Sequence, residues 1–374
     1  MKLTARVKLQ PLPEQRRALL STLRQVNAAC NAASAWAWQH RTFRQFDIHQ
    51  GMYYPLKARF GLAAQMVVRA IAKVTDAYKL DRTARRTFTP LGAIAYDERV
   101  LSWKLGGSTV SIWTVAGRQT IPFVCSDYQR RLLASQQGET DLAYVGGECY
   151  LFSAVNVEEP EPIEVEGILG VDLGVVNIAT DSDGEAHSGS HLNNLRRRHR
   201  RLRRKLQQKG TPSARRRLKQ RSGKEARFAK NVNHHISKVL VAKAERTKRA
   251  IALEDLQGIR SRIRARRPQR ATLHSWAFHD LKQKMLYKAR RAGVPVMLVD
   301  PRNTSRTCPS CGSIARGNRP TQTTFCCVSC GLAGPADTIA AENIRRAALN
   351  QPNAGPSSLH PLLPASPRLQ PWGS

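Results

Sequence analysis

Acidic residues are scarce in this sequence. Twenty-seven Asp and Glu stand against 61 Lys and Arg in 374 residues, a formal net charge of +34. An excess of that size repels itself unless a polyanion is at hand, and nucleic acid is the polyanion it suggests. An anionic membrane would ask instead for an amphipathic helix with an apolar face or for a transmembrane span. Neither is found, since no run approaches the roughly 20 apolar residues that cross a bilayer. The opening Met1-Lys2-Leu3-Thr4-Ala5-Arg6 lacks the apolar core of a signal peptide, so the expected location is cytoplasmic. Cysteine is sparse outside one cluster: of eight, five fall between positions 308 and 330, while Cys30, Cys125 and Cys149 are scattered. That distribution speaks against a disulfide framework and for a metal site in a reducing compartment. There are no internal repeats.

What is present reads as several domains. Residues 2–10 alternate loosely through Leu3, Ala5, Val7 and Leu9 and predict a strand. A helical stretch follows from about Glu14, with Leu19, Leu20, Leu23, Val26 and Ala29 at helical spacing, then Trp36 and Trp38 as core aromatics. A second helix is expected from Ala63 to Leu80, and short β-prone runs from Thr87 to Phe152. The acidic, proline-punctuated Val157-Glu158-Glu159-Pro160-Glu161-Pro162 marks a domain boundary. Beyond it, residues 163–181 predict two strands joined by a glycine-assisted reversal and closed by the turn Asp181-Ser182-Asp183-Gly184. Between Arg196 and Lys230 stand 17 Lys or Arg and one acid, Glu225, yet Leu195, Leu202 and Leu206 keep helical spacing. This predicts a helix pair with one packed face and one very basic face. A helix over 233–247, a strand over 250–254, an arginine-rich stretch over 260–270, a helix over 273–292, a strand over 294–299 and a last helix over 337–349 complete the series. The final residues, 351–374, rich in Pro, Ser and Gly, are expected to be a disordered tail.

Three carboxylates stand out because acids are so few. Asp172 lies inside Ile168-Leu169-Gly170-Val171-Asp172-Leu173-Gly174-Val175-Val176, where a carboxylate is costly unless hydrogen-bonded or bound to a cation. Glu254 ends a second apolar strand, with Asp255 beside it, and Asp337 begins the last helix ahead of Ala340-Ala341-Glu342-Asn343-Ile344. Singly, they could be a satisfied core acid, a strand-end residue and a helix cap. Together they suit a hard divalent cation, Mg²⁺ or Mn²⁺, of the kind that activates water at a phosphodiester. Cys308-Pro309-Ser310-Cys311 and Cys327-Val328-Ser329-Cys330 make a C-x2-C pair of pairs separated by 15 residues, with Gly312 and Gly331 after each. That spacing predicts a closed four-thiolate zinc ribbon of structural, non-hydrolytic role.

These motifs resemble those of the TnpB family, proteins encoded by insertion sequences and related to the type V CRISPR effectors. The resemblance rests on Gly170-Val171-Asp172-Leu173-Gly174, on Leu253-Glu254-Asp255-Leu256, on Asp337 with Ala340-Ala341-Glu342-Asn343-Ile344, and on Thr304-Ser305-Arg306-Thr307-Cys308-Pro309-Ser310-Cys311-Gly312 leading into the ribbon. It is specific over residues 167–349 and only compatible upstream. It implies an α/β and α+β multidomain chain. A β-rich wedge domain over 1–160 would carry a helical recognition insertion at about 14–82. An RNase H-like (RuvC) mixed-sheet nuclease domain over 161–305 and 335–350 would be interrupted by a zinc ribbon over 306–334. It implies Asp172, Glu254 and Asp337 as catalytic cation ligands, and an RNA-guided DNA endonuclease with guide RNA and target DNA as partners, base pairing reading the sequence. Arg196, Arg197, Arg198, Arg200, Arg201, Arg203 and Arg204 are the expected nucleic-acid contacts. One departure is plain: the family commonly carries Asn two residues after the third acid, where this chain has Ile339. The competing readings are a nuclease-inactive RNA-guided binder, which should have lost an acid; a transposase, which should carry a separate DNA-binding module such as a helix-turn-helix; and a plain zinc-ribbon binding protein, which leaves the three acids without a use.

Overall fold

The computed structural model describes residues 1–255 and 278–350. Strand β1, Lys2–Leu9, buries Ala5, Val7 and Leu9 and exposes Lys2, Thr4 and Arg6, the two-residue period of a strand with one face on a core. It is central in an antiparallel seven-stranded sheet of order β2-β6-β7-β1-β5-β4-β3. The other strands of the sheet are Ile94–Tyr96 (β2), Leu101–Lys104 (β3), Thr109–Thr114 (β4), Gly117–Val124 (β5), Gln136–Val145 (β6) and Glu148–Asn156 (β7). Between β1 and β2 come three helices, Pro13–Gln39 (α1), Gln45–Phe60 (α2) and Ala64–Leu80 (α3), and a short helix, Asp127–Ala134 (α4), joins β5 to β6. Helix α1 starts with proline in its first turn, where the missing N–H costs nothing. It buries Leu19, Leu23, Val26, Ala29, Cys30, Ala33 and Ala37. Trp36 and Trp38 pack against the same core. This unit covers Met1–Glu158, and a second begins at Glu159.

In the second unit, Gly167–Asp172 (β8), Asn177–Asp181 (β9), Ala186–Ser188 (β10), Arg249–Glu254 (β11) and Val296–Val299 (β12) form a sheet of order β10-β9-β8-β11-β12. Strand β9 runs antiparallel to both β8 and β10, and β8, β11 and β12 run parallel. This is the mixed sheet that the resemblance implied. Ser190–Lys209 (α5), Pro212–Arg221 (α6) and Lys224–Arg246 (α7) connect β10 to β11, and Phe278–Arg291 (α8) precedes β12. One face of the sheet packs Leu169, Val171, Ile251 and Leu253 against Ile236, Leu240 and Met285 of α7 and α8. The other packs Ala252 and Val299 against Ile344 and Ala348 of the last helix, Ala336–Leu349 (α9). Between β12 and α9 lies a small lobe with one hairpin, Thr324–Cys326 (β13) and Ala333–Pro335 (β14).

Several elements differ from expectation. Helix α2 carries Gly51 and Pro55 and buries only Ile48 and Leu56, so it has no apolar period to read. Gly51 is required there: a Cβ would stand 2.3 Å from the Trp36 ring. The basic stretch folds as three helices, because α7 begins at Lys224 and not near residue 233. Strand β10 is too short to announce itself. The arginine-rich 260–270, the first residues of the 273–292 helix, Leu256 and the 351–374 tail lie outside the described residues. Among the described residues no helix is long and apolar enough to cross a membrane.

Candidate active site and metal centre

Strands β8 and β11 pair in parallel with Val171 opposite Leu253, so Asp172 and Glu254 follow one step further at the carboxyl ends of both. By alternation they share a face with Gly170 and Ala252, which is the face α9 covers. Gly170 permits that cover: a Cβ on it would stand 2.1 Å from the Ala341 carbonyl oxygen and 2.7 Å from the Arg345 amide nitrogen. Helix α9 therefore lies against the β8 backbone, and Asp337, in its first turn, comes to the same end of the sheet as the other two acids. The amino end of a helix also favours a carboxylate there. Gly170→Ala is expected to push α9 off the sheet at a cost of about 2 kcal/mol. The unfolding midpoint should then fall by on the order of 5 °C, measurable by calorimetry.

The three acids sense one another. Burial, then the charges of Glu254 and Asp337, push the Asp172 carboxyl up to about 7, against the pull of Arg319 and of its own chain's Leu173 amide. Burial also raises the Glu254 carboxyl, which the Thr304 hydroxyl and Arg319 hold down. Arg319 Nη2 donates to Oδ1 of Asp337 at 3.2 Å, and Asn177 Nδ2 donates to its Oδ2 at 3.0 Å. Thr304 Oγ1 donates to Oε1 of Glu254. Asp255, next in the chain, is instead tied to α8 by Lys282 at 2.8 Å. Among the described residues, the only group of three or more possible metal ligands whose atoms all lie within 4.8 Å of one another is the cysteine cluster. The three carboxylates thus share an electrostatic environment, although their atoms do not all lie within that distance of one another. An all-oxygen set of this kind suits a hard divalent cation.

Arg319, Asn177 and Thr304 have no mark in the sequence that ties them to the acids. Thr304 stands out only as part of the approach to the ribbon, and Asn177 and Asp337 are 160 residues apart.

The cysteine cluster is the tightest group in the molecule's described part. Cys308 Sγ lies 3.5 Å from Cys330 Sγ, and Cys311 Sγ lies 3.6 Å from Cys327 Sγ. Disulfide sulfurs would be about 2 Å apart, whereas four thiolates around one zinc stand about 3.8 Å apart. Each pair sits on a tight turn: the Gly312 amide donates to the Cys308 carbonyl and the Gly331 amide to the Cys327 carbonyl, both at 3.0 Å. Both glycines have positive φ, 72° and 75°, which side chains resist. The Cys330 amide is aimed at the Cys327 sulfur and stabilises its thiolate. Asn318, fully buried, joins the two halves, donating to the Arg306 and Ser313 carbonyls at 2.9 and 3.0 Å and accepting from the Val328 amide at 3.0 Å. The four cysteines can bind a metal such as zinc. Cys326, one residue off the spacing, is exposed and outside the cluster.

On α5 the predicted arginines divide. Arg197, Arg198, Arg200, Arg201, Arg203 and Arg204 are exposed. Arg196 is turned inward against Glu225 of α7 at 3.4 Å, its side chain 11% exposed, and holds the helices together. Leu192 and Leu206 anchor the packed face.

Residues 278–344, from α8 through the cysteine lobe into α9, match the family model of the Cas12f1-like TNB domain. The chain is 36% identical over 199 residues to the CRISPR-associated endodeoxyribonuclease Cas12f1 of Sulfoacidibacillus thermotolerans, a match covering 49% of this chain and 46% of that protein. It is 29% identical over 258 residues to a TnpB-like protein of Methanocaldococcus jannaschii, covering 65% of this chain and 91% of that protein. The matched region thus spans about half the length of the first relative and most of the second. In fold, the chain is similar to Cas12f1 in a cryo-EM structure of a Cas12f1–sgRNA–target DNA complex, with a TM-score of 0.54 at 15% identity over 88% of this chain and 83% of that chain. With motifs, cysteine cluster and fold in agreement, the chain is similar to TnpB-like and Cas12f1-like proteins.

Proposed function

We propose that the chain is an RNA-guided DNA endonuclease of a transposable element, acting in the cytoplasm on target DNA paired with a guide RNA. The observation that carries this reading is that Asp172, Glu254 and Asp337 all stand at one end of the mixed sheet, near enough that burial and the other two acids together hold the Asp172 carboxyl up to about 7. A protein of +34 charge has little other use for such an acidic focus. These three residues would hold Mg²⁺ or Mn²⁺, which supplies an activated water and charge stabilisation at the leaving oxygen of a phosphodiester. Arg319 and Asn177 orient Asp337.

Ile339 does not undermine this. It packs on the ribbon core with Phe325 and Cys327, and both oxygens of Asp337 have donors without help from position 339. In this reading the four cysteines hold one structural zinc, residues 306–334 are the ribbon, 161–305 and 335–350 the RuvC-like nuclease, and 1–160 the wedge-like domain with its helical insertion.

The test is to co-express the chain with its flanking DNA, sequence the RNA that stays bound, and add Mg²⁺ with a matching duplex. Guide-dependent cutting is expected. Bound RNA without cutting would favour the inactive binder, and no specific RNA would favour a transposase. Replacing Arg197, Arg198, Arg200 and Arg201 by Gln should weaken nucleic-acid binding and flatten its salt dependence by close to one logarithmic unit per lost phosphate contact. Arg196→Gln should instead lower stability, since its partner is Glu225.

A further inference from the structure

We propose that Thr304, held by Asn343, is a positioning residue that orients the Glu254 carboxylate for cation binding. The inference rests on the reading of Asp172, Glu254 and Asp337 as cation ligands. Thr304 is 7% exposed and sits in the turn after β12. Asn303, just before it, takes left-handed backbone, φ 61°, a conformation Asn tolerates better than most. Its carbonyl accepts from the Arg306 and Thr307 amides at 2.8 and 2.9 Å, which closes the turn. The Thr304 hydroxyl has one proton and two acceptors in reach, Oε1 of Glu254 and the Pro301 carbonyl at 3.1 Å. The charged acceptor takes the stronger bond.

The turn is fixed from the other side by Asn343, 7% exposed, on α9. Its Nδ2 donates to the Thr304 and Thr307 carbonyls, both at 2.7 Å, so both amide protons are used. Asn343 follows Asp337 along the same helix. One helix thus delivers the third acid and, through Asn343, sets the donor to the second. A strand-end carboxylate anchored through Oε1 has lost its free rotation, and Oε2, which takes no hydrogen bond from the described residues, is placed to meet a ligand. Groups that orient a metal ligand in this way typically govern affinity or activity by about 10- to 100-fold.

The experiment uses the full chain with its bound RNA and two variants, Thr304→Val, which keeps the shape and removes the hydroxyl, and Thr304→Ser, which keeps the hydroxyl. Mn²⁺ binding is measured calorimetrically without target DNA, and cleavage is followed across Mg²⁺ concentrations. Thr304→Val should weaken Mn²⁺ binding about tenfold and raise the Mg²⁺ requirement by a similar factor. Its DNA affinity should stay near wild type and its Tm should fall by no more than a few degrees, the loss of one bond to a buried carboxylate, and Thr304→Ser should recover most of the loss in Mn²⁺ binding. Wild-type Mn²⁺ affinity in Thr304→Val would overturn the inference, as would a Thr304→Ser variant no better than Thr304→Val. A wild-type chain with no Mn²⁺ site sensitive to Asp172→Asn would overturn the reading beneath it, and the inference with it.

Discussion

Asp172→Asn is expected to lower DNA cleavage by about a thousandfold or more while making the protein more stable in Mg²⁺-free buffer. In the proposed reading, the loss follows from removing an anionic ligand from a cation that would stabilise the transition state by several kcal/mol, each 1.36 kcal/mol being tenfold in rate. The gain follows from the Asp172 carboxyl. Its pKa is raised in the folded chain from 3.8 to about 7, chiefly by burial and then by Glu254 and Asp337. A folded-state pKa above the unfolded one means that the folded chain holds the proton more tightly. Stability from this group is therefore greatest below about pH 4 and is lost as pH rises toward 7. Near pH 8 the penalty amounts to at most about 4 kcal/mol, and near pH 5 to at most about 2 kcal/mol. Asn carries no charge to desolvate, so the variant should melt on the order of 5 °C higher than wild type near pH 8, with the gap closing toward pH 5. Excess Mg²⁺ should raise the wild-type Tm and leave the variant's unchanged. Calorimetry at both pH values, with and without Mg²⁺, checks all of this. An Asn variant that melts lower than wild type at pH 8 would mean that Asp172 is a satisfied core acid and not a ligand in waiting.

Asp172 was legible because a lone acid in a nine-residue apolar run breaks the local chemistry, and the ribbon because four cysteines at fixed spacing need no tertiary knowledge. The helices with strong apolar periods, α1 and α3, were legible for a similar reason. Helix α2 was not, since Gly51 serves the Trp36 ring and only two side chains in it are buried. The arginine run showed its charge but not that Arg196 spends itself on Glu225, a contact between two helices far apart in sequence. Most hidden were the residues that orient the acids. Asn177, Arg319 and Thr304 are ordinary polar residues in strand, lobe and turn, and they gain meaning only when the sheet and α9 bring them to Asp337 and Glu254. Local pattern reveals which groups carry the charge, and topology alone reveals which groups aim it.

Cys327→Ser, or removal of zinc by a chelator, is expected to abolish cleavage although no cysteine belongs to the carboxylate cluster. The cysteine lobe has a very small core: its buried apolar cluster is Cys308, Phe325, Cys327 and Ala336, two of them members of the four-cysteine group itself. So few apolar groups cannot offset the ordering of some thirty residues, and small folds of this kind depend on their metal. Zinc–thiolate binding is worth about 10 kcal/mol or more in such sites, enough to decide between folded and unfolded. The lobe also holds Arg319, which donates to Asp337, and leads directly from the Thr304 turn that donates to Glu254. When the lobe unfolds, Asp337 loses one of its two donors and the turn loses the Asn318 and Ser313 contacts that close it at Arg306 and Cys308. Metal analysis should therefore find about one zinc per wild-type chain and little in Cys327→Ser. Hydrogen exchange should rise first across residues 306–334, while the β8 and β11 amides stay protected by the α7 and α8 face of the sheet. Full guide-dependent cleavage by zinc-free protein would separate the lobe from the acids and remove Arg319 from the account. Cleavage that falls in proportion to zinc content, with the sheet intact, would make the ribbon the part that keeps Asp337 and Glu254 ready for their cation.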